Sequence, residues 1–201
     1  DGEAGDNRFG DDVALSSDGR RLAVGAPLND GAGSYAGHVR VFDWIDGAWR
    51  QVGDDIEGEA AQDRLGSAIA LSADGSVVAA GAVYNDDAGT SAGHVRVYQW
   101  SGTTWAQIGA DIDGEGASNL SGASVALSSD GSRVAIGAHY NSDAGNDAGH
   151  VRVYDWNGVA WAQVGEDIDG EAPEDWSGGS VALSSDGSRV AIAAERNDGA
   201  G

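Results

Sequence analysis

The sequence repeats itself at one fixed interval. His38, His94 and His150 each open a copy of HVRV preceded by Ala-Gly, while Asp18, Asp74, Asp130 and Asp186 sit in a Ser-Ser-Asp-Gly string, with Ala73 replacing one Ser, at the same spacing. A constant period of 56 residues, with turn residues inside each unit, marks an array of supersecondary units. The 201 residues hold about three and a half copies, dividing at 1–56, 57–112, 113–168 and a partial copy at 169–201.

Inside a copy the pattern has period two. In the third copy, Ser124 to Trp161, Val125 and Leu127 alternate with Ala126 and Ser128, and Val134 and Ile136 with Ala135 and Gly137. One face is bulky and the other small, which suits sheets that pack closely. The Asp-Gly between these runs is a hairpin signal, giving strands at Val13–Ser16 and Arg21–Ala26 in the first copy. A long loop follows (Leu28–Gly37, Val83–Gly93, His139–Gly149), then a third strand, His150–Trp156, a tight Asn157-Gly158 turn, and a fourth strand from Trp161 to about Ile168. The pairs Trp44/Trp49, Trp100/Trp105 and Trp156/Trp161 bracket that last turn and read as cross-strand packing, with a sugar-stacking surface as the alternative. Acidic, Gly-rich connectors (Asp1–Gly10, Glu57–Gly66, Asp113–Gly122, Asp169–Gly178) join the copies, and no segment has helical periodicity. The expected fold is all-β, a series of β-propeller blades of four antiparallel strands. After Gly178 only two strands remain, Val181–Ser184 and Arg189–Ala194, so the chain is expected to be part of a longer one.

Phe9-Gly10 and Gly25-Ala26-Pro27 spell FG and GAP around one hairpin, so the chain resembles the FG-GAP repeats of integrin alpha-chain propellers and their secreted microbial relatives. The resemblance extends along the copies but decays, with Leu65, Ser121 and Ser177 in place of Phe9 and Val83, His139 and Glu195 in place of Pro27. It implies a parent propeller of about six to eight blades, an extracellular or cell-surface setting, and adhesion to a protein or glycan. Calcium-binding members carry a D-x-D-x-D-G loop between FG and GAP. Here that place holds only Ser128-Ser129-Asp130-Gly131, one carboxylate in a tight turn.

The net charge of −22, with every basic residue an Arg, argues against nucleic acid and anionic membranes as partners and favours cations or basic proteins. No apolar run approaches the ~20 residues of a bilayer span, and without Cys there is no thiol chemistry. In a propeller the long loops and connectors would share one face and concentrate the acid there. The expected role is a non-catalytic structural or adhesion module that contacts a protein, a glycan or copies of itself through that face. The alternative is a calcium-binding receptor, with Asn29, Asp30, Asn85, Asp86, Asp87, Asn141, Asp143, Asn197 and Asp198 as oxygen ligands; Asp113, Glu115, Asp169 and Glu171 are weaker candidates. A carbohydrate-active enzyme is the third reading, disfavoured because no single-copy acid/base pair stands out. The recurring His residues are expected to organise the strands by hydrogen bonding, since zinc needs three or four converging ligands.

Overall fold

The computed structural model describes residues 6–199. The first sheet holds β1 (Val13–Leu15), β2 (Arg21–Ala26), β3 (His38–Ile45), β4 (Ala48–Gln51) and β5 (Ile56–Glu57). The second holds β6 (Leu65–Leu71), β7 (Val77–Ala82), β8 (His94–Trp100), β9 (Trp105–Gln107) and β10 (Ile112–Asp113). The third holds β11 (Ser124–Leu127), β12 (Arg133–Ala138), β13 (His150–Trp156), β14 (Trp161–Gln163) and β15 (Ile168–Asp169); the fourth is the pair β16 (Ser177–Leu183) and β17 (Val190–Ala194). Within each sheet the strands pair antiparallel, as short turns between consecutive strands allow.

The expected single fourth strand is instead two pieces, because both β14 and β15 pair with β13. Gly165, at φ +76°, turns the chain out of register between them, and Gly53 and Gly109 (φ +75° and +78°) do the same in the other copies. The Trp residues are cross-strand partners, Trp44 opposite Trp49 and Trp156 opposite Trp161, with ring centroids 5.2 and 5.4 Å apart.

The sheets pack in series, β2 against β6, β6 and β7 against β11, and β11 and β12 against β16. The small face of the middle strand makes this possible. A Cβ at Gly25, Gly81 or Gly137 would run into the carbonyl oxygen of Gly66, Gly122 or Gly178 in the next sheet. The bulky faces fill the junctions. Val39, Val41 and Ile56 of the first sheet meet Leu65, Ile69 and Val78 of the second, and Val77, Val95 and Val97 meet Val134 and Ile136 of the third. Each such side chain, fully buried, contributes about 1.5–3 kcal/mol.

At one end the hairpin turns are chained together: Ser17 N–H donates to Ala73 O (2.8 Å), Ala73 N–H to Ser129 O (2.8 Å) and Ser129 N–H to Ser185 O (2.9 Å). At the other end each connector is laid on the preceding long loop, Arg64 N–H bonding Tyr35 O and Leu65 N–H bonding Ala36 O. This corrects the expected propeller. Among the described residues the four sheets are present, but they stack each on the next and do not close into a circle of blades: the packing runs from the first sheet to the second, third and fourth, and the array stays open.

Candidate metal centre

Each copy brings its His to the start of the third strand, where the sheet is sealed on both sides. His38, His94 and His150 are each 1% exposed. Asp55, Asp111 and Asp167 follow them at a constant interval, in the segment between the two pieces of the outer strand. Because that segment returns antiparallel, its carboxylate comes back to the imidazole. His94 Nδ1 is 3.5 Å from Asp111 Oδ2 and 4.0 Å from Asp113 Oδ1; His150 Nδ1 is 3.6 Å from Asp167 Oδ2 and 3.6 Å from Glu115 Oε2. Neither Nδ1 makes a hydrogen bond.

Among the described residues three groups of metal-ligating atoms result, the atoms of each group within 4.8 Å of one another: His38, Asp55 and Glu57; Glu59, Asp87, His94 and Asp111; and Glu115, His150 and Asp167. The second is the richest. Its Glu59 comes from the connector, where Gly58 N–H bonds Gly37 O of the preceding sheet's loop (2.9 Å), so the group spans a junction. Arg96 bonds Glu59 and Asp111. Three carboxylates against one guanidinium leave two negative charges at this spot.

The electrostatics carry the mark of crowded acid. Burial, with repulsion from Asp111, holds the Glu59 carboxyl above its usual range although Arg96 pulls it down. Burial and the neighbouring Asp167 raise Glu115 in spite of Arg152, and burial raises Asp113. Burial pushes Asp111 up too, but the hydrogen bond from Gln107 and the charge and hydrogen bond of Arg96 bring it below the normal value. Burial lowers His94 and His150 against the pull of these acids, so each imidazole stays neutral, the form that offers a lone pair to a metal.

Of the residues singled out from the sequence, Asp87 is in the second group, and Glu115, a weaker candidate, is in the third. The asparagines serve the loops: Asn29 Oδ1 accepts from Gly31 N–H (2.6 Å), Asn85 donates to Asp63 (3.3 Å), Asn141 accepts from Asp143 N–H (2.9 Å) and Asn197 donates to Asp175 (3.0 Å). Asp30 and Asp86 accept from the N–H groups of Tyr35 and Ser91, and Asp198 is exposed. Asp143 lies near enough to His150 to raise its proton affinity. The carboxylates that return to the histidines, Asp55, Asp111 and Asp167, were not among the candidates, although a His and an Asp at one fixed separation in three successive copies was a readable signal.

The FG-GAP repeat model matches residues 1–42 only, so the resemblance expected along all copies is confined to the first. Phe9 packs edge-on against Phe42 there (6.2 Å), a contact that Leu65, Ser121 and Ser177 do not reproduce with an aromatic ring. No curated protein matches the chain. Among solved structures, a protein assigned as a 6-phosphogluconolactonase from Bacteroides uniformis matches with TM-score 0.51 and 16% identity, covering 78% of this chain and 39% of that one. Hydrazine synthase of Kuenenia stuttgartiensis matches with TM-score 0.56 and 16% identity, covering 92% of this chain and 58% of that one. The chain therefore spans less than two thirds of either, and the likeness is one of fold. Both names are those of enzymes. Those names belong to the neighbours; what overturns the expectation of a non-catalytic structural or adhesion module is the geometry here, where among the described residues a buried His meets metal-ligating carboxylates in three groups.

Proposed function

We infer that the protein binds divalent cations through its His–carboxylate groups, with the Glu59–Asp87–His94–Asp111 group as the principal site. One observation carries this reading: the His94 Nδ1 is buried, makes no hydrogen bond, and sits among three carboxylates whose charge a single Arg only partly offsets. An unpaired buried nitrogen costs about 1–3 kcal/mol, a cost that metal ligation removes. One imidazole nitrogen with carboxylate oxygens suits a borderline ion such as Mn²⁺ or Zn²⁺. Calcium, which takes about 6–8 oxygens, is the competing occupant.

The carboxylate side of the group is open, with Glu59 and Asp87 exposed, so a bound ion keeps a position for water or a ligand, the arrangement on which metal-assisted hydrolysis depends. The test is titration of Mn²⁺, Zn²⁺ and Ca²⁺ into chelator-treated protein, followed by calorimetry and by the ¹⁵N signals of the imidazoles. Binding should perturb His94 Nδ1 and raise the melting temperature. If none of the three ions at millimolar concentration moves either, the reading is wrong.

A further inference from the structure

A second feature recurs at the sheet junctions, beside the histidine groups and sharing Asp55, Glu57 and Asp111 with them. Between the first and second sheets lies a cleft of ≈ 180 Å³ walled by Tyr98 and Trp105 and floored by Ile56, with Asp54, Asp55 and Glu57 at its rim. Between the second and third lies its counterpart, ≈ 190 Å³, walled by Tyr154 and Trp161 and floored by Ile112, with Asp111 and Asp113. Each lining position in one is exactly a full repeat away from its equivalent in the other. The aromatic walls are fixed in place. Trp105 Nε1 donates to Val52 O (3.0 Å) and Trp161 Nε1 to Ile108 O (2.9 Å), each across the junction. Gly53 and Gly109 leave room for the indoles, since a Cβ there would touch the ring of Trp105 or Trp161.

We propose that these clefts receive the cationic side chains of a basic protein or peptide, one arginine or lysine per junction. Arg40 and Arg96 already pair with Asp55 and Asp111, so the carboxylates of Asp54 in the first cleft and Asp113 in the second, each facing an aromatic wall, are what make the clefts complementary to an organic cation. The molecule already uses this chemistry on itself: the Arg21 guanidinium stands 5.7 and 5.8 Å from the ring centres of Trp100 and Trp105, and Arg152 stands 5.6 Å from Tyr154. The net charge of −22 draws a basic partner in and repels an acidic one. Two equivalent clefts on one rigid array reward a partner carrying two suitably spaced cations. The clefts differ at three lining positions: Ala110, Asp113 and Ala160 of the second stand where the first has Asp54, Glu57 and Thr104, and only the first of these exchanges removes a charge.

The proposal is tested with chelator present, so that it stands or falls apart from the metal reading. A capped Gly-Arg-Gly peptide is titrated at low salt while the indole N–H signals are followed by NMR, with the neutral Gly-citrulline-Gly peptide as control. The arginine peptide is expected to move the Trp105 and Trp161 signals, and the citrulline peptide to leave them. Asp54→Asn, an exposed position outside the histidine groups, should weaken the Trp105 response about two- to fivefold while sparing Trp161. Ala110→Asp should strengthen the Trp161 response. Equal responses to both peptides, an unchanged Trp105 response in Asp54→Asn, or equal movement of the exposed Trp44 would overturn the proposal. So would a neutral oligosaccharide that moves the two signals where the arginine peptide does not.

Discussion

His150 Nδ1 lies 3.6 Å from Glu115, at the head of the same copy, and equally close to Asp167 near its tail. Head, middle and tail of the repeating unit thus converge on one buried nitrogen. In the second copy Glu59, His94 and Asp111 repeat the arrangement and Asp87 joins it. The equivalent of Glu59 in the first copy is Glu3, outside the described residues.

Removing a single ligand should separate the sites. Asp87→Asn leaves the His94 group with the same residue types as the His150 group, and His94→Gln removes the nitrogen altogether. Affinity of the principal site for Mn²⁺ or Zn²⁺ should fall at least about tenfold in each variant, with the His150 signals still responding to metal. Calorimetry of the variants beside the wild type checks this, and unchanged affinity would remove Asp87 from the site.

Stability of the metal-free protein should fall in mild acid. Burial holds His94 and His150 below the ordinary imidazole value of 6.5, and for His94 the facing Asp111, Asp63 and Asp113 push upward while Arg96 pushes further down. Between the unfolded and folded values the unfolded chain binds more protons. The histidine contribution is therefore complete above about pH 6.5 and is lost as pH falls below it. Glu59 and Glu115, whose carboxyls are raised, act in the opposite sense: they weaken the fold at neutral pH and release that strain as pH drops toward 4.5. Urea denaturation from pH 7.5 to 5.5 should show a decline that His94→Gln with His150→Gln flattens. Parallel slopes would show that these imidazoles do not control it.

Gly81→Ala should separate two sheets. The added Cβ meets the backbone oxygen of Gly122, which has no freedom to swing aside. Overpacking of this kind costs about 1–3 kcal/mol or more, readable as a lower denaturation midpoint. A variant as stable as the wild type would mean that the junction tolerates sliding.

The hairpin turns rest on one carboxylate each. Asp130 accepts from Ser128 Oγ (2.7 Å), Ser132 N–H (3.0 Å) and Ser132 Oγ (2.8 Å), and these bonds hold its carboxyl down at about 2. Solvent screens this exposed turn, so Asp130→Ala should destabilise by only about 0.5–1 kcal/mol. Because the folded value is depressed, Asp130 stabilises fully above pH 3.8 and loses that contribution as pH falls through about 2. The difference between variant and wild type should therefore shrink in strong acid, which denaturation at neutral pH and near pH 2 can establish.

The strands were legible because alternation and turn residues act over a few positions. Arg21–Ala26 and His150–Trp156 occupy the bounds that the alternation gives them, and Asp130 forms the turn that its string suggests. The break after Gln163 was hidden, since it depends on a Gly165 conformation that the alternation does not encode. The site was harder to read. His94 and Glu59 are separated by more than half a repeat, and nothing local joins them. Every copy is also rich in acid, so composition singles out no one carboxylate.

The sequence by itself determined the period, the hairpins and the alternation of large and small side chains, all properties of neighbours along a strand. Only the tertiary structure decided that the sheets stack in an open series, and that three acids gather around the unpaired imidazole nitrogen of His94. Those outcomes depend on backbone approaches between sheets, such as Gly81 on Gly122, and on where a returning connector leaves its carboxylate. Contacts of that range arise when segments far apart in the chain exclude water together, and no local pattern records them.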